Sequence, residues 1–313
     1  MVHKAAMAEV FITDAHRLGD HRFTVAAQWP RAHVFYRPGA DGKCDPVLWL
    51  ETIRQAGVYV AHRFYDVPIS HQFVLAGAEF TIEDPQAPQY GSTPHTVSLD
   101  ITFEPPAQDK RHLVIELAAV VRIDGRRCGR VTMRGQAIDA RRYAVLRRRN
   151  APSRASLAPF AQPSPVPLPP AAVGRQHEWD VVLAAWPDRA ESWQLSLDPY
   201  HPVFFDHATD HLPGMALVEA FRQAVSLSGC RRSAPDCAPR VWALTSGAVT
   251  FDAFGELDAP VLVESRPVAG RTLGDHHFSV QADATQGDRL LASATLTGRP
   301  LLVAGSRALG SAA

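Results

Sequence analysis

An internal repeat limits this chain more than any other feature of its sequence. Placing His33 on His201 also places Glu51 on Glu219, Arg54 on Arg222, Gln55 on Gln223 and Ala56 on Ala224, all at an offset of 168 residues. A looser echo joins Ala78-Glu79-Phe80-Thr81 to Ala248-Val249-Thr250-Phe251. Polar and charged identities at one constant offset are not expected by chance, so the halves read as two copies of one fold. A chain of 313 residues divides into two copies of ordinary domain size.

Each copy carries one strong helix signal. Asp45-Pro46 offers a side-chain N-cap followed by proline at the first helical position, and the helix runs to about Phe64. Between Val47 and Val60 only Glu51 and Arg54 are charged. Pro213-Gly214 opens the second helix, in which only Glu219 and Arg222 are charged from Met215 to Leu227. A helix apolar nearly all round belongs inside a fold.

The rest alternates. Leu113, Ile115, Leu117, Ala119, Val121 and Ile123 share one face of a period-two run, as do Leu290, Ala292, Ala294 and Leu296. Further strands are expected at 22–29, 72–82, 96–103, 130–138, 180–186, 192–197, 241–251, 261–266 and 277–282. One early buried helix and then about four antiparallel strands, twice over, predict an α+β fold with each sheet wrapped around a central helix. Seven prolines between Pro152 and Pro170, preceded by Arg141, Arg142, Arg147, Arg148, Arg149 and Arg154 with no acidic residue among them, mark an extended spacer. The arginines are read as a solvated flank or as a docking patch for an acidic partner. The expected division is an N-terminal domain at 1–143, an Arg/Pro-rich linker at 144–172, a C-terminal domain at 173–304 and a tail at 305–313.

Composition narrows the function. Lys and Arg total 32 against 32 Asp and Glu, and zero net charge argues against a nucleic-acid binder. The four cysteines form no CxxC pair and read as reduced thiols, which fits a cytoplasmic protein. The first twenty residues contain Glu9, Asp14 and Asp20 and no apolar core, so no signal or transit peptide is expected. The longest uncharged run, Ala155 to Gly174, holds six prolines, so no membrane span is expected. No GxSxG elbow and no Gly-rich phosphate loop occurs, which argues against serine hydrolases, P-loop enzymes and dinucleotide enzymes.

Two constellations carry chemistry. Glu51, Arg54 and Gln55 form one polar stripe on an apolar helix, as do Glu219, Arg222 and Gln223. Buried charges need a partner or a task, so the stripes are either ion pairs sealing the halves together or parts of a site. The loop from His201 to Gly214 contains His207, His211, Asp206 and Asp210. Pro213-Gly214 follows at once, which places the histidines on a loop ahead of a helix N-terminus. That geometry suits an oxyanion or phosphate better than a metal.

The chain resembles the AfsA-type, A-factor γ-butyrolactone biosynthesis family. The resemblance rests in the first half on Val2-His3-Lys4, Trp29-Pro30-Arg31-Ala32-His33, Asp45-Pro46, Glu51-Thr52-Ile53-Arg54-Gln55-Ala56 and Asp66-Val67-Pro68 to Gln72-Phe73. In the second half it rests on Val173-Gly174-Arg175, Asp180-Val181-Val182-Leu183, His201-Pro202, Asp210-His211-Leu212-Pro213-Gly214-Met215 and Glu219-Ala220-Phe221-Arg222-Gln223-Ala224. It implies a tandem of hot-dog domains, in agreement with the helix-in-sheet reading. It further implies acyl transfer from a β-ketoacyl-acyl carrier protein to dihydroxyacetone phosphate, then closure to a butenolide phosphate, the precursor of a γ-butyrolactone, butenolide or furan signal. The second half is also similar to hot-dog dehydratases, although His207 precedes Glu219 by only 12 residues. A dehydratase or thioesterase, and a lactone- or acyl-binding protein without turnover, are the alternatives.

For acyl transfer no cofactor, metal or protein nucleophile is expected, because the thioester is already activated. Desolvation is expected to raise the Glu51 carboxyl and make it the base. Arg222, reaching in from the other repeat, is assigned to the phosphate or oxyanion, with Arg54 and Glu219 holding the opposite ends. The Gly214 and Met215 amides are assigned to the thioester carbonyl, and His207 and His211 to the phosphate. Gln55, Gln223, His33 and His201 complete the expected substrate-binding set.

Overall fold

The computed structural model describes residues 1–39, 41–84, 89, 91–104, 108–109, 112–149, 165–186, 189–232, 241–268 and 277–301. The first half contains β1 (Ile12–Gly19), β2 (Arg22–Trp29), α1 (Pro46–Phe64), β3 (Gln72–Ile82), β4 (His95–Phe103), β5 (Gln108–Asp109), β6 (His112–Ile123), β7 (Arg126–Ile138) and α2 (Ala140–Arg149). The second contains β8 (Val166–Pro167), β9 (Leu183–Ala185), β10 (Ser192–Leu195), α3 (Gly214–Arg232), β11 (Val241–Phe251), β12 (Leu262–Pro267), β13 (Phe278–Gln286) and β14 (Arg289–Leu301).

α1 starts as its sequence requires. The Asp45 carboxylate accepts from the Val47 N–H at 2.9 Å, and Pro46 occupies a position whose N–H would have no helical acceptor. Leu48, Leu50, Ile53, Ala56, Val60 and Ala61 are buried. So are the helix's charged Glu51 and, in α3, Glu219. The period-two pattern of β6 puts Leu113, Ile115, Leu117, Ala119, Val121 and Ile123 inside.

The two sheets are continuous. In each half the strands lie in the same order, β1-β2-β4-β6-β7-β3 and β9-β10-β12-β13-β14-β11. β3 and β11 pair antiparallel at the seam, with Ala78 opposite Val249 and Phe80 opposite Gly247. The echo between these segments is thus two equivalent strands meeting edge to edge, as a local twofold requires. Joining the halves through their edges also removes two exposed strand edges.

Three local expectations differ. β1, absent from the sequence reading, lacks a two-residue alternation of burial. The strand expected at 180–186 shrinks to β9, because the Gln223 side chain takes the Asp180 carbonyl and the Val182 N–H that a strand would use. The arginine run forms a helix rather than an extended flank, capped by the Asp139 carboxylate accepting from the Arg142 N–H at 2.7 Å, while Arg141, Arg142, Arg148 and Arg149 stay exposed to solvent. At the other end of the expected linker, β8 pairs with β9; residues 150–164 and 302–313 lie outside the described residues.

Candidate active site

The repeat places one charged cluster on each central helix. In the first half, Arg54 donates to Glu51 through Nε and Nη2, both at 2.8 Å. The Gln55 amide donates to Glu51 Oε1 at 2.8 Å, and Lys4 Nζ lies 3.5 Å from the same oxygen. Gln55 also ties in the chain before β1, donating to the Glu9 carbonyl at 2.7 Å and accepting from the Phe11 N–H at 2.9 Å. Burial by itself pushes the Glu51 carboxyl up; the Arg54 and Lys4 charges and the Arg54 and Gln55 hydrogen bonds outweigh it and hold the group at about 2.

The second cluster repeats this arrangement, with a bidentate Arg175 where the first has Lys4. Arg222 donates to Glu219 at 2.8 and 2.6 Å, Arg175 donates at 2.9 and 2.6 Å, and Gln223 donates at 2.6 Å. Glu219, pushed up by burial, is likewise brought to about 2 by Arg175 and Arg222. Arg175 stacks on Phe35 at 4.2 Å, donates to the Phe35 carbonyl at 3.1 Å and approaches the Asp45 carboxylate at 3.6 Å. The second-half glutamate is thereby linked to the first-half helix N-terminus.

These geometries revise the expected roles. Glu51 is held in the carboxylate form by Arg54 and Lys4, which makes it a weaker base than desolvation alone would: partner charges win over burial. Arg222 makes its hydrogen bonds within the second repeat, to Glu219 and to the Val173 carbonyl at 3.2 Å, and acts on the first repeat only through its charge on Asp45. Arg54 and Glu219 therefore do not hold opposite ends of one substrate but belong to separate clusters. Both glutamates are paired with cations, an arrangement that disfavours a role as general acid.

The histidine loop divides. Asp206 accepts from the Ala5 and Ala6 N–H groups, both at 2.8 Å, and pairs with the exposed His207 at 3.3 Å. The loop thus carries His207 to the first-half cluster, where Asp206 contributes to the field at Arg54 and His207 to that at His3. His211 turns away: its ring pairs with Asp210 at 2.8 Å and lies 3.1 Å from the Tyr143 hydroxyl of α2. Gly214 opens α3 against the Phe251 ring, and Met215 packs on the core. His33 and His201 are buried loop staples. His33 Nδ1 accepts from the Phe35 and Tyr36 N–H groups, and His201 Nδ1 from those of Val203 and Phe204. Among the described residues no group of three or more His, Cys, Asp or Glu is placed to hold a metal ion.

The two clusters differ in access. The Arg54 side chain is 22% exposed, against 12% for Arg222 and 6% for Arg175. Between the helices, at the seam, lies a small apolar gap lined by Leu50, Phe80, Val218, Phe221, Val249 and Leu296 among others. Leu50 and Val218 are repeat equivalents that directly precede Glu51 and Glu219. The first-half cluster, with Arg54 and His207 at its mouth, is the candidate site.

Sequence reasoning missed Lys4, Arg175, Glu9 and Asp180. Their signal is a second offset: Val2-His3-Lys4 and Glu9 match Val173-Gly174-Arg175 and Asp180 at 171 residues, three more than the offset of the helices.

A charged, sheet-enclosed helix in two equivalent copies, joined through a continuous sheet, defines a tandem hot-dog protein. Its family follows from comparison with known sequences: the chain belongs to the A-factor biosynthesis hotdog domain family, whose profile matches residues 1–139 and 157–301. It is similar to the 2-oxo-3-(phosphooxy)propyl 3-oxoalkanoate synthase of Streptomyces virginiae, with 34% identity over 281 residues and 90% of each chain covered. The synthase of the same name from Streptomyces coelicolor is 30% identical, covering 95% of this chain and 90% of that one. Among solved structures, a protein assigned as an oleoyl thioesterase from Lactobacillus plantarum has a TM-score of 0.50 at 11% identity, covering 89% of this chain and 97% of that one, a likeness of fold alone.

Proposed function

We propose that the protein is an acyltransferase that joins a β-ketoacyl chain, delivered as the thioester of an acyl carrier protein, to the primary hydroxyl of dihydroxyacetone phosphate. The hydroxyl oxygen attacks the thioester carbonyl, the C–S bond breaks, and the thiol leaves with the hydroxyl proton. The resulting 2-oxo-3-(phosphooxy)propyl 3-oxoalkanoate closes by intramolecular condensation to a butenolide phosphate, the precursor of a γ-butyrolactone-type signal. The observation that carries this reading is the 34% identity to a synthase of that ester along 90% of both chains.

The geometry supports it. A dianionic phosphate needs local charge on a protein of zero net charge. Arg54 offers a guanidinium held rigid by Glu51 yet open at its outer edge, and the second-half loop that carries His207 is anchored on the first-half N-terminal segment through Asp206. Burial raises the Cys44 thiol to about 12 and also raises Cys128, so neither of these two thiols is suited to act as a nucleophile at neutral pH.

The carrier protein has a landing place in α2. Arg141, Arg142, Arg148 and Arg149 are exposed on a helix without acidic residues. An acidic carrier protein complements such a face.

The test is thiol release from a β-ketoacyl thioester with and without dihydroxyacetone phosphate, with the product weighed by mass spectrometry. Release that depends on the second substrate, together with the phosphorylated ester, is the expected result. Release without the acceptor would make the protein a thioesterase, and binding without release would make it a receptor.

A further inference from the structure

His3 and His62 form a pair that the reading above leaves without a task. His62 Nδ1 lies 2.7 Å from the Val67 carbonyl oxygen, and a carbonyl only accepts, so Nδ1 carries the proton. The neutral ring then offers a bare Nε2. His3 Nε2 sits 3.0 Å from it and must donate, which leaves His3 Nδ1 with a free lone pair. The two rings lie within 20° of one plane and both meet Phe73 edge-on, so the tautomers and orientations are set together.

The backbone gives an independent reason to look here. His3 adopts a φ of 54°, in the left-handed region, and its counterpart in the second half is Gly174 with a φ of 69°. The flanking residues correspond as well. Val2 and Val173 are buried, and Lys4 and Arg175 each reach the glutamate of their own cluster. Glycine enters this region freely; histidine enters it with strain. The first half keeps a strained residue where the second has the relaxed one, and what it gains is an imidazole within the field of Arg54 and His207.

We propose that His3 is the general base of the acyl transfer, with His62 as the positioning residue that fixes its tautomer. This rests on the acyltransferase reading. His3 Nδ1 takes the proton of the attacking hydroxyl as the oxygen bonds to the thioester carbonyl carbon. The tetrahedral intermediate collapses with cleavage of the C–S bond, and His3 returns the proton to the departing thiolate.

The surroundings fit a base that strengthens when substrate arrives. The groups acting on His3 are His62 and Arg54 of α1, the N-terminal amine, and His207 from the loop before α3. Burial first, and then these groups, bring His3 down to about 4, so it is in the base form at neutral pH. A phosphate dianion on Arg54 would offset a fixed positive charge that acts on His3 and raise the imidazole toward the range where a base is most effective.

The experiment uses the full chain with His3→Gly, which copies Gly174 and removes the backbone strain. Thermal stability should be retained or increased, and kcat for acceptor-dependent thiol release should fall by about 10²- to 10⁴-fold. KM for dihydroxyacetone phosphate should stay within about threefold. Added imidazole should restore part of kcat in this variant and leave the wild type unchanged. His3→Asn, also at ease in the left-handed region, should show the same loss without rescue, since its amide fills the space and is no base. A His3→Gly enzyme with kcat within about threefold of wild type, or a loss that imidazole does not relieve, overturns the assignment. Wild-type protein that releases no thiol in response to the acceptor overturns the acyltransferase reading instead.

Discussion

Glu219 is wholly buried and holds two guanidinium groups and an amide, so neutralising it strands charge in the core. Glu219→Gln is expected to destabilise the protein by about 3 to 5 kcal/mol, read from urea unfolding. Glu51→Gln should also cost stability, since it leaves Arg54 and Lys4 without their anion. Both carboxyls sit near 2, against an ordinary value of 4.5. A depressed folded-state value contributes stability above about pH 4.5 that is lost as pH falls toward 2, roughly 3 kcal/mol for each group. Unfolding free energies measured between pH 6 and 3 should therefore drop steeply below 4.5, and less so in Glu219→Gln. Arg54→Lys keeps the charge and loses the fork to Glu51, and the expected outcome is a KM for dihydroxyacetone phosphate raised about tenfold. A matching change at the more enclosed Arg222 should act on stability instead. The stripes themselves were legible from spacing alone. Their ionisation was not, because it is the balance of two large opposing effects, one of which comes in part from Lys4 and Arg175, more than forty positions away.

α2 is tied to the second half by Tyr143, whose hydroxyl donates to the Asp210 carboxylate at 2.6 Å, and most extensively by Arg147. Arg147 donates to Glu256 through two nitrogens at 2.9 Å, to the Asp210 carboxylate at 3.2 Å and to its carbonyl at 2.9 Å, and its guanidinium lies over Phe254 at 5.1 Å. Arg147→Ala should release the helix at a cost of about 2 kcal/mol, seen as faster amide exchange across 140–149 with little change elsewhere. Replacing Arg141, Arg142, Arg148 and Arg149 with glutamate should raise KM for the carrier-protein thioester while leaving a pantetheine thioester unaffected. Composition marked this run as basic, and a run of arginines has no apolar period to reveal a helix. The signal that decides it is the Asp139 cap, a single residue whose meaning depends on the chain actually turning there.

At the seam, an added Cβ on Gly77 would stand 2.9 Å from the Val249 carbonyl oxygen of the other half, where a backbone atom cannot yield. Gly77→Val is expected to wedge β3 from β11, lowering Tm by roughly 5 to 10 °C and broadening the transition as the halves uncouple. The helices, most strands and the duplication were readable because each rests on short-range order: a period of two or 3.6, a cap, a constant offset. The fusion of two sheets into one was not, because edge pairing leaves no periodic trace in either strand. For the same reason the site was only half visible. The sequence alone determined that each half buries a Glu-x-x-Arg-Gln helix inside an antiparallel sheet. Tertiary structure alone decided that Lys4 and Arg175 complete the clusters, that His207 serves the first copy while Arg175 closes the second, and that His3 lies against His62. Those choices depend on which distant segments share a few ångströms of space, and there desolvation and Coulomb attraction, not chain-local propensity, set the outcome.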